Sequence, residues 1–172
     1  MNKAARTLAA GVAVAALTLT GCAGAPSDAA TVNGVRIADS TVREVAQTLT
    51  AASGTESSVA LRQATYDLLL GEASRQIAAS TGTVVPEADK KAIVAQNQLA
   101  SAVAATPQGA PWADAVGTTY VLLEELGEDS YLTELNKLDV TVNPRYGQWD
   151  ASRVTFTDAS LARDASAASL RR

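Results

Sequence analysis

The stretch ATVNGVRIADSTV, residues 30–42, decides how the fold is read. Asn33-Gly34 lies between two short apolar pieces, and Asn-Gly accepts the positive φ values that a tight hairpin turn requires. A small β-element is therefore expected over residues 30–37. Asp39 or Ser40 is placed to cap a helix. Thr41-Val42-Arg43-Glu44 has the spacing of a capping box, in which side chains satisfy amides that lack helical partners. Val42, Val45, Ala46 and Leu49 then recur at i, i+3, i+4 and i+7, which is one apolar face of a helix.

Downstream, AASGTESS at residues 51–58 breaks this pattern. Val59, Tyr66, Leu69, Leu70, Ala73 and Ile77 then resume it, and Arg62, Gln63, Asp67, Glu72 and Arg75 take the other sides. Thr81-Gly82 is a helix stop, and Pro86 suits a helix start because its missing amide costs nothing there. A third helix is expected from about Pro86 to Val103, with Ala88, Ala92, Ala95, Leu99 and Val103 inside. A fourth helical stretch runs from Trp112 to Leu138, through Val116, Tyr120, Leu123 and Leu126 and then Tyr131, Leu135 and Leu138, with Gly127 as a divider. LDVTV, residues 138–142, alternates and is β-branched, so it reads as a short strand ended by Asn143-Pro144. An isolated strand would leave backbone donors unpaired, so residues 30–37 are its expected partner and the two ends of the domain should meet.

Upstream, Lys3 and Arg6 precede an uncharged run from Leu8 to Thr20, the plan of an export signal. About 20 apolar residues are needed to cross a bilayer, so this run is short for a permanent span. Leu19-Thr20-Gly21-Cys22 resembles the lipobox of bacterial lipoproteins. That resemblance implies cleavage between Gly21 and Cys22 and acylation of Cys22, the one cysteine in the chain. An ordinary cleavage site beside a bystander cysteine is the alternative. Two or more acyl chains hold a protein at a membrane where one is marginal. The expected location is the cell membrane, lipid-anchored on its extracytoplasmic face.

Without residues 1–21 the chain carries 12 basic and 18 acidic residues, a net charge of −6. Nucleic-acid affinity rests largely on Lys and Arg neutralising phosphates, so nucleic acid is not an expected partner. The chain contains no histidine. Histidine-based zinc sites, Ser-His-Asp triads and Cys-His pairs are thereby excluded, and no metal or other cofactor is expected. Glu124, Glu125, Glu128 and Asp129 form an acidic cluster inside a helical apolar pattern, without the alternating ligands and central glycine of a calcium loop, and read as a solvated helix face. The phosphate-cradling glycine signatures and the G-x-S-x-G elbow are missing, so the chain does not read as an enzyme.

An exported start followed by ATVNGVRIADSTV and an amphipathic helix resembles the opening of the SurA-type chaperone domain of extracytoplasmic peptidyl-prolyl isomerase chaperones. The likeness centres on Val32-Asn33-Gly34, Ile37 and Val42. Asn143-Pro144-Arg145-Tyr146-Gly147 resembles the ending of SurA-like lipoproteins of high-GC Gram-positive bacteria. It implies a mainly α fold: a small helical bundle with a short β-element joining the N- and C-terminal ends of the domain, of the SurA N-terminal and trigger-factor C-terminal kind. The expected organisation is a signal peptide at 1–21, a flexible stalk at 22–30, the helical domain at 31–149 and a disordered tail at 150–172. Full-length relatives carry a parvulin domain, for which the chain has no room, and isomerase activity is not implied. What remains is a chaperone-like module that holds exported or envelope polypeptides, or an adaptor for one specific envelope protein. Arg145, Tyr146 and Trp149 form either a recognition patch, since such residues dominate interface hot spots, or part of the domain's own packing. Periodicity does not separate apolar residues that line a groove from those that fill the core.

Overall fold

The hairpin forms at Asn33 and Gly34, whose φ values of 46° and 80° turn β1 (Asp28–Val32) directly into antiparallel β2 (Val35–Ala38). Residues 28–157 are described by the computed structural model; Gly21, Cys22 and the expected export signal lie outside them. β3 (Val140–Val142) pairs antiparallel with the other edge of β1, in the register Ala30 with Val142 and Val32 with Val140. The sheet order is β2-β1-β3, so the early and late strands meet as the sequence requires.

Six helices make up most of the described residues. α1 (Asp39–Ser53) buries Val42, Val45, Ala46 and Leu49, the four positions given by its periodicity. α2 (Ser57–Thr81) is the axis of the bundle, packed against α1 on one side and α5 (Ala110–Leu126) on the other. That double contact explains why α2 buries Ala60, Ala64 and Leu68 besides Leu69, Leu70, Ala73 and Ile77. α2 and α5 touch closely at Gly71: a Cβ placed there would lie 2.3 Å from Ala115 Cβ and 2.6 Å from its Cα. Asp114 on α5 ties in two neighbours, accepting from Arg75 of α2 at 3.1 Å and from Lys90 at 2.5 Å. α3 (Glu87–Ala95) carries that lysine.

Several expectations change. The third helix is two: α3 ends at Ala95, and α4 (Gln98–Ala104) starts afresh, with Asn97 Oδ1 accepting from Ala100 N at 3.0 Å. Ala88, Ala92 and Ala95 are exposed, because the short α3 buries no residue fully and half-buries the larger Ile93 and Val94 instead. Gly127 does divide the fourth stretch, into α5 and α6 (Glu128–Leu135). The capping box of α1 is not made. Ala38 occupies the cap position, and Asp39 lies in the first turn with its carboxylate turned to other partners.

Two domain limits also move. The stalk expected to reach residue 30 gives way at Asp28, because pairing with both β2 and β3 satisfies the backbone of these small residues and buries Ala29 and Ala30. The tail expected from residue 150 is a second hairpin as far as Thr157. β4 (Gln148–Asp150) pairs with β5 (Thr155–Thr157), and Trp149 and Phe156 stand opposite one another. Scattered apolar residues suffice here because Tyr66 on α2 supplies the third ring.

Candidate functional site

Arg145, Tyr146 and Trp149 are brought close to the bundle, and each has an intramolecular contact. Asn143 Oδ1 accepts from Arg145 N and nucleates the 3-10 turn Pro144–Tyr146. Tyr146 is buried, and its hydroxyl donates to the Asp39 carboxylate. Arg145 pairs with the same carboxylate at 3.1 Å and stacks 5.2 Å above the Tyr146 ring, while Arg43 meets Asp39 at 2.6 Å. Hydrogen bonds from Tyr146 and Arg43 hold the Asp39 carboxyl below the usual aspartate range. Burial and the bond to Asp39 push the Tyr146 hydroxyl up to about 12. Trp149 packs with Tyr66 and Phe156, at ring separations of 6.5 and 5.8 Å. All three side chains therefore make contacts within the domain.

The concave feature lies elsewhere. A cleft of about 750 Å³ opens between the C-terminal end of α1, the first half of α2, the α3–α4 junction and α5. Its volume falls in the range of sites that enclose ligands. Leu49, Val59, Ile93, Leu99, Val116 and Tyr120 are among its apolar wall. Val59 and Tyr120 are 45% and 54% exposed. A second hollow of about 420 Å³ shares Asp67, Val116 and Tyr120 with the first and extends past Leu123 and Leu132 to the β4–β5 turn. There the Tyr66 hydroxyl donates to Val154 O at 3.0 Å.

α5 explains why the cleft is apolar. One side of this helix, with Trp112, Ala115, Thr118 and Leu122, is buried in the bundle. The adjoining stripe Val116, Tyr120 and Leu123 is only partly covered and faces the two hollows. A helix that needs only one apolar side to fold carries two.

Asp67 sits where the two hollows meet. Its Oδ2 accepts from Trp112 Nε1 at 2.5 Å and from Gln63 Nε2 at 2.8 Å. Burial pushes the Asp67 carboxyl above its usual range, and these two hydrogen bonds partly counter the shift. The sequence pattern puts Asp67 and Gln63 among the outward residues of α2 and marks neither. The signal available was their i, i+4 spacing beside an apolar face, a pattern shared by many surface pairs. The arrangement supplies apolar area with a few polar groups and contains no nucleophile and base pair.

Comparison of the chain with protein-family models, curated proteins and solved structures gives no match.

Proposed function

We propose that the protein is a lipoprotein anchored through acylated Cys22 to the extracytoplasmic face of the cell membrane, with a SurA-like helical domain that holds apolar segments of exported or envelope polypeptides. Isomerase chemistry is not part of this reading. The observation that supports it is the partly exposed stripe Val116, Tyr120 and Leu123 on α5, which borders the core yet lines the two open hollows. Burying such side chains against a client yields about 25 cal/mol per Å² without requiring any particular client sequence. The hairpin that feeds α1 and the β1–β3 pairing are consistent with the SurA-like arrangement.

The test is a photo-crosslinking residue placed at Tyr120 in the cell, with captured partners identified by mass spectrometry. Many unrelated exported chains are the expected catch. One dominant envelope protein would make the protein an adaptor, and no capture from Tyr120 would remove the cleft from the function. The anchor has its own check, because Cys22→Ala should release the protein from the membrane fraction. Retention of that variant with unchanged mass would refute the lipid anchor.

A further inference from the structure

The charged side chains lining the larger hollow are Asp67 and Glu124, both acidic; among its described lining residues none is basic. Asp67 is half-buried, and both of its hydrogen-bond donors, Gln63 and Trp112, are neutral and converge on Oδ2. Oδ1 takes part in neither bond. A carboxylate in apolar surroundings with only neutral donors is under-compensated, and a cation brought within reach is strongly favoured over a neutral group. The rise in the Asp67 pKa by burial agrees with this. Glu124 lies about three and a third turns along α5 from Trp112 and about one turn beyond Tyr120, so a second negative charge stands at the exposed side of the same cavity.

We propose that this cleft selects polypeptide segments in which a lysine or arginine is set among bulky apolar residues. The apolar neighbours lie along Val116, Tyr120, Ile93 and Leu99, while the basic group reaches Asp67 with Glu124 beside it. This specificity rests on the polypeptide-binding reading above. An acidic side chain at the same place in a segment meets two like charges and is rejected, which is how electrostatic complementarity separates partners that apolar area alone would treat equally.

Three labelled dodecapeptides of Leu, Val, Ala and Ser, identical except for a central Lys, Gln or Glu, test the proposal by fluorescence anisotropy with the full-length protein in detergent. The Lys peptide should bind about tenfold more tightly than the Gln peptide and the Glu peptide weakest, the size expected of one partly buried charge pair. Asp67→Asn should reduce the Lys-to-Gln preference to about twofold or less. Glu124→Gln, an exposed change, should lower the preference partially and guards against a folding defect in the first variant. Equal binding of all three peptides to the wild type would overturn the basic preference and leave the polypeptide-binding reading in place. Binding of none would overturn both. Trp112 gives a direct readout of location in a Trp149→Phe background, where its fluorescence should change on addition of the Lys peptide; saturable binding without that change would place the site elsewhere and overturn the assignment.

Discussion

Asn33 does more than permit a turn. Its backbone N donates to Asp139 O at 2.7 Å, its Oδ1 accepts from Asp139 N at 2.8 Å, and its Nδ2 donates to Gln76 Oε1 at 2.8 Å. One side chain thus joins the hairpin, the entry to β3 and α2. Asn33→Gly keeps the positive φ and loses the two side-chain bonds, whereas Asn33→Ala loses the bonds and adds about 1–2 kcal/mol for a left-handed Cβ. Chemical denaturation should therefore rank wild type above Gly and Gly above Ala, and equal stability of the two variants would contradict this division. The Asp39–Tyr146 pair makes a pH prediction. The folded carboxyl pKa is lowered, so the stability it contributes is present above the ordinary aspartate value of 3.8 and is lost as the pH falls through the lower folded value. The folded tyrosine pKa is raised to about 12 from 10, so its share is complete below pH 10 and is lost between about pH 10 and 12. Tyr146→Phe should cost about 1.5–3 kcal/mol at neutral pH, as for a hydrogen bond to a charged group. In denaturation curves taken across pH, the gap to wild type should narrow toward both extremes.

Elements whose pattern answers to one neighbour were legible in the sequence. α1 has a single apolar face, and its four buried residues are the four that periodicity picks out. The hairpin and the β1–β3 pairing were legible for a related reason: Asn-Gly encodes a backbone conformation, and a late strand needs a partner. α3 is less legible because alanine is compatible with either side of a helix, and the larger Ile93 and Val94 are the residues it half-buries. α5 resisted in the opposite way. Its stripe of Val116, Tyr120 and Leu123 reads as a core face, yet Trp112, Ala115 and Leu122 fill the core, so the cleft was hidden by an excess of apolar signal. The close approach of α2 and α5 likewise carries only a glycine as its mark. Alanine at position 71 would gain up to about 1 kcal/mol in helix propensity, but its Cβ meets the backbone of Ala115, which a rotamer change cannot relieve. Gly71→Ala is expected to destabilise by about 1–3 kcal/mol, the range for an overpacked core, as measured by thermal or denaturant unfolding. A neutral or stabilising result would mean that the two helices can separate freely. Gly71→Ala combined with Ala115→Gly should then recover part of the loss.

At the scale of the whole molecule, stability and binding are expected to pull against each other at Asp67. The three-stranded sheet packs on α1 and α2, the aromatic hairpin covers part of α2 at Tyr66, and the cleft between α1, α2, the α3–α4 junction and α5 keeps an ionisable group among apolar walls. A folded carboxyl pKa raised above its unfolded value stabilises the fold at low pH and loses that contribution as the pH rises through the folded value. Ionising Asp67 as the pH rises therefore burdens the empty protein. Asp67→Asn keeps an acceptor for Trp112 and Gln63 and removes the charge, so it should raise stability at pH 7 by about 0.5–2 kcal/mol, the usual size of a single stabilising change. The difference should shrink toward zero at the acidic end, where the wild-type carboxyl is itself neutral. Thermal unfolding of both proteins at acidic and neutral pH checks the sign, and a less stable variant at pH 7 would mean that the carboxylate is already compensated within the fold. If the stabilised variant also loses the basic preference of the cleft, the destabilising charge has a use that folding alone does not give it, because only an incoming cation supplies the compensation the bundle lacks.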